Sequence, residues 1–124
     1  MENFATNAAL ITAVLLNYFN GIYNGDVPLL QSVFHPQAII GFDLNGETHF
    51  KTVNQYLEGV KNRKSPQELG EKFKMKILSL EIINNTAVAK VQVPIFEYDY
   101  YDLLSLIVVD GKWVISNKLA TKVN

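Results

Sequence analysis

The segment covering residues 98–118 constrains the fold more than any other part of the chain. Two stretches of strand-forming residues flank Asp110-Gly111, a dipeptide that adopts the positive φ angles of a tight hairpin turn. From Leu103 to Val109 every residue except Ser105 is apolar, so neither face of this strand is suited to water. The sequence therefore predicts a strand that is covered by helices of the same chain on one face and by a second copy of the chain on the other.

The length and composition predict one globular domain spanning residues 1–124. Hydrophobic residues make up 48% and charged residues 19%, and the formal net charge of -1 argues against nucleic acid or an anionic membrane as a partner. Cysteine is absent from the sequence, which excludes disulfides, thiolate metal sites and cysteine nucleophiles. The N-terminal residues lack the basic region of a signal peptide and no apolar run is long enough to span a bilayer, so we expect a cytoplasmic location.

The basic residues are unevenly distributed, since seven of the eleven lysines and arginines lie between residues 51 and 76. A phosphate-binding patch would need aromatic or glycine-rich neighbours, and this segment does not supply them. We therefore expect these side chains to form a solvated helix end, loop and strand face.

Apolar periodicity and capping residues predict three helices. Apolar residues recur every three or four positions from residue 4 to residue 23, which indicates one long amphipathic helix that ends at Gly25. Asp26 can cap a second, short helix that closes before His35-Pro36. Thr52 and Gln55 have the spacing of a capping box for a third helix over residues 53–60.

Period-two alternation and turn dipeptides predict six strands. The first two cover residues 38–42 and 47–51 and are joined by Asn45-Gly46. The other four cover residues 71–83, 86–93, 98–109 and 112–122, and Phe73, Met75 and Ile77 are expected to face the core. Helices segregated from an antiparallel meander indicate an α+β fold, a curved antiparallel sheet wrapped around the long first helix with a cavity at the open end of the cone.

Four segments resemble the nuclear transport factor 2-like superfamily, which has a cystatin-like fold and includes ketosteroid isomerases and polyketide cyclases of the SnoaL type. They are residues 18–26 at the helix junction, residues 34–38, residues 101–106, and residues 110–115 around the last turn. Within the superfamily the chain is most similar to the bacterial families called putative lumazine-binding or SnoaL-like. The resemblance is specific for fold and says little about function, because members include isomerases, cyclases, dehydratases and transport factors.

The resemblance implies two residues that would polarise a carbonyl group. In the isomerases a tyrosine on the first helix donates a hydrogen bond to the oxyanion, and Tyr18 has the same spacing of eight residues from Asp26. Asp102 resembles the acid on the penultimate strand and could donate a proton among its apolar neighbours. Each has a structural alternative, because Tyr18 could fill the core and Asp102 could be a hydrogen-bonded carboxylate that fixes a strand end.

The catalytic base of the isomerases has no direct counterpart in this sequence. Their aspartate lies sixteen residues beyond the junction aspartate, and Phe42 stands at that position here. Asp43 is the adjacent carboxylate and a tentative catalytic residue, but strand geometry should turn it to the opposite face unless a bulge redirects it. His35 is expected at a helix end and His49 in the first hairpin, and there is no cysteine, so we expect no metal. The lack of a glycine fingerprint predicts no cofactor.

An aromatic cluster with one acid predicts a ligand cavity. Its expected members are Tyr18, Phe42, Tyr56, Tyr98, Tyr100 and Asp102. We interpret the chain first as a small-molecule-binding domain for a flat, largely apolar ligand. The alternatives are a cofactor-independent isomerase, cyclase or dehydratase that acts on a carbonyl substrate by acid-base catalysis, and a protein-interaction domain. A homodimer through the outer face of the sheet is expected in each case.

Overall fold

The chain folds into three helices and six strands in the order that the sequence predicts. The computed structural model describes residues 3–123. The elements are α1 (Phe4–Asn24), α2 (Val27–Val33), β1 (Phe34–Leu44), β2 (Glu47–Thr52), α3 (Val53–Lys61), β3 (Lys76–Ile83), β4 (Thr86–Ile95), β5 (Tyr98–Val109) and β6 (Lys112–Val123). Within the described part of the chain, no helix is both long and apolar enough to cross a membrane.

All six strands form one curved sheet in the order β2-β1-β6-β5-β4-β3. Four of the five pairings are antiparallel, as expected, but β1 pairs with β6 in parallel. In the chain, α3 and the strands β3, β4 and β5 lie between the first hairpin and β6, so no hairpin can join β1 to β6. The parallel pairing of β1 with β6 joins the first hairpin to the last four strands in one sheet.

Two turn dipeptides take the conformation that the sequence predicts. Asn45 and Gly46 have φ angles of 56° and 84°, and Asp110 and Gly111 have φ angles of 50° and 78°. Positive φ at both central residues is the mark of a type I′ turn, whose twist matches that of the two strands it joins. The expected hairpins β1–β2 and β5–β6 are therefore confirmed.

The core lies between α1 and the concave face of the sheet, which we define as the face turned toward the helices. The buried stripe of α1 consists of Ile11, Leu15, Tyr18, Phe19 and Ile22. It packs against the inward residues of the three central strands, among them Ala89, Val91, Leu104, Leu106 and Ile115. α2 approaches α1 closely at Gly21, where an added Cβ would lie 2.6 Å from Leu30 Cγ.

The strand expected over residues 71–83 is shorter than the sequence predicts. β3 begins at Lys76, and its ladder with β4 ends at the pair Lys76–Gln92, two residues short of Pro94, which has no N–H to donate. Phe73 is therefore not an inward residue of the sheet; its ring is 43% exposed and packs edge-on against Phe19 and Tyr23 of α1. The segment that contains Phe73 precedes β3 and crosses the end of α1.

Candidate functional site

A cavity of about 400 Å³ opens on the concave face of the sheet. It lies between α3 and the inward residues of five strands, β1, β2, β4, β5 and β6, and Ile22 of α1 forms part of its wall. The volume falls in the range of pockets that enclose small organic ligands. The cavity lies at the open end of the curved sheet, where the sequence places the candidate ligand site.

Aromatic rings form much of the cavity wall. Phe42, Tyr56 and Tyr100 line it, as the sequence predicts, and Phe96 adds a fourth ring. The Phe42 and Tyr56 ring centroids are 6.5 Å apart with an interplanar angle of 33°. The two rings are therefore neighbouring, tilted parts of the same wall.

Four polar side chains meet at the floor of the cavity. The Tyr18 hydroxyl donates to Asp102 Oδ2 over 2.5 Å, and Lys118 Nζ lies 3.9 Å from the same oxygen. Lys118 Nζ also donates to Tyr56 Oη over 3.1 Å. Asp102 is 1% exposed and Lys118 is 4% exposed, so the carboxylate and the ammonium form a buried ion pair in which each group is also hydrogen-bonded to one phenol.

Strand register explains why Asp102 and Lys118 meet. Asp102 pairs with Ala120 across β5 and β6, so Lys118, two residues from Ala120, is its diagonal neighbour on the same face. Lys118 faces inward only because Ser116 is an extra residue in β6: the register runs from Leu106–Ile115 directly to Ser105–Asn117. This β-bulge changes the alternation along β6.

The buried ammonium of Lys118 is surrounded by aromatic rings. Its Nζ lies 4.3 Å from the Tyr56 centroid, 5.2 Å from that of Tyr18 and 5.6 Å from that of Phe42. The negative faces of these rings replace part of the hydration that the ammonium loses on burial. Lys118 and Asp102 both line the cavity, so a ligand would meet the ion pair directly.

Burial raises the pKa of Tyr18 well above its ordinary value of 10.0, and the negative charge of Asp102 raises it further. The hydroxyl therefore keeps its proton and acts as a donor to the carboxylate. Tyr100 also has a raised pKa, chiefly because its phenol is partly desolvated at the cavity wall and secondarily because of Tyr98 beside it.

The mouth of the cavity carries basic side chains. Arg63, which follows α3, stacks its guanidinium on the Phe96 ring at 4.9 Å, and Lys51 Nζ lies 5.5 Å from the Phe42 centroid. Both residues line the cavity, as does His49, whose side chain is half exposed. Lys51 and Arg63 are exposed, as expected for the basic segment, and they also line the cavity mouth.

The turn between β4 and β5 holds Phe96 at the cavity wall in an unusual backbone conformation. Phe96 and Glu97 have φ angles of 56° and 67°, although neither is a glycine or an asparagine. The Phe96 N–H donates to both carboxylate oxygens of Glu71, over 3.0 and 3.1 Å. Non-glycine residues in this region are strained, and such strain persists only where surrounding contacts fix it, often at functional sites.

Three residues that the sequence suggested for the site do not line the cavity. Tyr18 is fully buried behind Asp102, with its hydroxyl bonded to that carboxylate and its ring 5.2 Å from Lys118 Nζ. Tyr98 is 48% exposed beyond the cavity, where its ring packs on Tyr100 and lies 4.1 Å from Lys122 Nζ. Asp43 lies on the outer face and accepts a hydrogen bond from Thr121 over 2.9 Å. No register shift interrupts β1 between Ile39 and Asp43, so strand alternation turns Asp43 away from the cavity.

The structure gives no indication of a metal centre in the part of the chain that it describes. No three histidine, aspartate or glutamate side chains converge within residues 3–123. His35 Nδ1 accepts a hydrogen bond from the Gln37 N–H, which is a local turn contact, and His49 faces Glu47 at 3.5 Å.

Comparison with known proteins supports the family resemblance. The model of a family described as putative lumazine-binding matches residues 6–119. No curated protein matches the chain. Among solved structures, an NTF2-like protein of unknown function from Shewanella baltica OS155 is similar with a TM-score of 0.88 at 20% identity, covering 100% of this chain and 99% of that chain. A second, from Methylobacillus flagellatus KT, has a TM-score of 0.87 at 22% identity, covering 99% and 97%. A third, from Silicibacter pomeroyi DSS-3, has a TM-score of 0.84 at 18% identity, covering 98% and 100%.

The buried ion pair generates a prediction about stability. Replacing Lys118 by methionine leaves the buried Asp102 carboxylate without its cation and should lower the free energy of unfolding by about 3 kcal/mol in urea denaturation. The stability loss of the double variant Lys118→Met with Asp102→Asn should be about 1 to 3 kcal/mol smaller than the sum of the losses of the two single variants. Lys112→Met, at an exposed position of β6, is the control and should change stability by less than about 0.5 kcal/mol. Strict additivity of the two single losses would show that the pair is not coupled.

The raised pKa of Tyr18 generates a prediction about alkaline pH. In the unfolded chain its phenol ionises near pH 10, whereas the folded protein keeps the proton, so the unfolded state is favoured as pH rises. This contribution to stability is complete below about pH 10 and is lost as pH rises through the folded-state pKa, at up to about 1.4 kcal/mol per pH unit. The stability of Tyr18→Phe should therefore fall less steeply between about pH 10 and 11 than that of the wild type. Parallel curves over this range would contradict the assignment.

Proposed function

The chain belongs to the putative lumazine-binding family, and we propose on that basis that its cavity binds a small, flat, largely apolar organic molecule. The observation that carries the proposal is the pairing of an aromatic wall with a buried polar floor. Phe42, Tyr56 and Tyr100 provide ring surface, and Asp102 with Lys118 provides polar contacts at one end. Stacking surface with few polar groups favours planar ligands that carry a carbonyl or a similar group.

The catalytic alternative has weaker support. An oxyanion donor must point at the place where charge develops on the substrate, and the Tyr18 hydroxyl instead donates to Asp102 from behind the cavity wall. Asp43 lies on the other side of the sheet and cannot take a proton from a ligand in the cavity. We therefore propose binding, and we assign no isomerase, cyclase or dehydratase reaction.

We also propose that the protein forms a homodimer through the outer face of the sheet, the face turned away from the helices. Leu103 and Leu119 are paired across β5 and β6 and are 47% and 48% exposed, with Phe50 beside them. Gly41 lies beneath, and an added Cβ would be 2.8 Å from Leu119 Cδ2. Burial of such a patch favours association at about 25 cal/mol per Å² before the entropic costs of binding. A two-fold axis would let identical patches cover one another.

We propose that residues 1–124 act as one domain, because one sheet and one core cluster include every described helix and strand. A bacterial origin and a cytoplasmic location remain predictions from the sequence.

Binding in the cavity can be tested with lumazine and naphthalene derivatives by isothermal titration calorimetry. We expect one-to-one binding to the wild type and loss of binding in Gly59→Leu. Gly59 lines the cavity, and the nearest atom to an added Cβ is Lys51 Nζ at 4.0 Å, so a leucine can occupy the mouth without disturbing the core. Asn54→Leu, on the exposed surface of α3, is the matched control. A compound that binds should also stabilise the protein, by about 2.7 kcal/mol at a hundred times its Kd. Equal binding to both variants would place the ligand outside the cavity, and no binding by any compound would contradict the proposal.

The dimer can be tested by multi-angle light scattering at micromolar concentration. The wild type should have the mass of two chains, and Leu103→Glu should be a folded monomer, because two carboxylates would be buried against each other across the axis. Leu16→Glu is the control, since Leu16 is as exposed on α1 as Leu103 is on the sheet. A monomeric wild type would show that the outer face is not a self-association surface.

A further inference from the structure

The charges that line the cavity are unbalanced. Three cationic side chains, Lys51, Arg63 and Lys118, face it, and Asp102 is the one carboxylate among its lining residues. The formal net charge of the whole chain is -1, so the cavity is positive in a protein that is slightly negative. A concave site with one sign of charge concentrates ligands of the opposite sign.

Asp102 does not neutralise the cations at the mouth. Its Oδ2 already accepts from Tyr18 and faces Lys118, so its charge is taken up at the floor of the cavity. Across residues 3–123 the ion pairs are Lys118–Asp102 and His49–Glu47, which means that neither Lys51 nor Arg63 has a carboxylate within 4.0 Å.

The two mouth cations are held next to aromatic rings. Arg63 stacks on Phe96, and the strained turn and the Glu71 carboxylate fix the position of that ring. Stacking occupies a face of the guanidinium and leaves its N–H edge available for a carboxylate, which it can bind through two parallel hydrogen bonds. Lys51 lies over Phe42, the ring whose centroid is also within 5.6 Å of Lys118 Nζ.

From this arrangement we propose that the ligand of the cavity is a flat aromatic acid, whose rings stack on the aromatic wall and whose carboxylate is bound at the mouth by Arg63 and Lys51. This inference rests on the proposed binding function and adds a negative charge to the ligand. The apolar wall accounts for the planar part of such a molecule. The mouth cations account for the carboxylate, because an entirely apolar ligand would leave Lys51 and Arg63 without a partner.

The test compares 2-naphthoate with 2-naphthamide by isothermal titration calorimetry. The two probes have the same rings and nearly the same shape and differ in charge. At about 20 mM NaCl the acid should bind about ten-fold more tightly than the amide, and this advantage should shrink at about 500 mM NaCl because salt screens the mouth cations. Binding of the acid should be lost in Gly59→Leu, which fills the mouth.

Variants of the mouth cations assign the charge to named residues. Arg63→Gln should lower the affinity for 2-naphthoate about five-fold and change that for 2-naphthamide less than about two-fold. Lys51→Gln should have the same selective effect. Both side chains are exposed, so the fold should persist, which circular dichroism can verify. Lys64→Gln removes the same charge from the adjacent exposed residue, which does not line the cavity, and should leave both affinities unchanged.

The outcomes separate this inference from the proposed function. Equal affinities for the acid and the amide, both lost in Gly59→Leu, would overturn the acid inference and leave the binding function in place. Equal effects of Arg63→Gln and Lys64→Gln would also overturn it, because the selectivity would then come from the general charge of the surface. Failure of both probes to bind would overturn the acid inference, and the proposed function would fall with it only if lumazine also failed to bind.

Discussion

The buried ion pair between Asp102 and Lys118 is the interaction on which the rest of the site depends. Moving two charges out of water costs several kcal/mol for each, and their attraction offsets this only when their other hydrogen bonds are satisfied. Tyr18 donates one hydrogen bond to Asp102, and Tyr56 accepts one from Lys118. Because these four residues belong to α1, α3, β5 and β6, the pair requires both helices to pack at fixed positions on the sheet. The same requirement sets the depth and the polarity of the cavity floor.

The bulge at Ser116 determines which residues of β6 face inward and which face outward. Before it, Trp113 and Ile115 point inward; after it, Lys118 and Ala120 do so and Leu119 points outward. If Ser116 were accommodated in a regular strand and not in a bulge, alternation would place Leu119 on the inner face and Lys118 in the middle of the outer apolar patch. The charged floor and the proposed dimer surface therefore both depend on this bulge.

Local signals made most of the fold predictable, whereas the site depended on features that leave no local signal. The two type I′ turns and the capping box at Thr52 each involve residues that are adjacent or three apart, so the local sequence determines them. Among the rings of the cavity wall, Phe42 and Tyr100 followed from strand alternation and Tyr56 from helix periodicity. Lys118 could not be found in this way, because the bulge that turns it inward depends on pairing with β5. Arg63 reaches the cavity only through tertiary packing, and β3 starts late because its ladder ends before Pro94.

The turn at Phe96 and Glu97 shows how the mouth of the cavity is maintained. Two non-glycine residues at positive φ cost about 1 to 3 kcal/mol each, and a glycine at either position would relieve that strain. A glycine in place of Phe96 would also remove the ring on which Arg63 stacks. The carboxylate of Glu71 binds the Phe96 N–H and so offsets part of the cost from a segment distant in sequence. The strained turn therefore lowers stability but holds the Phe96 ring against the Arg63 guanidinium at the cavity mouth. A planar acid would contact these two groups first.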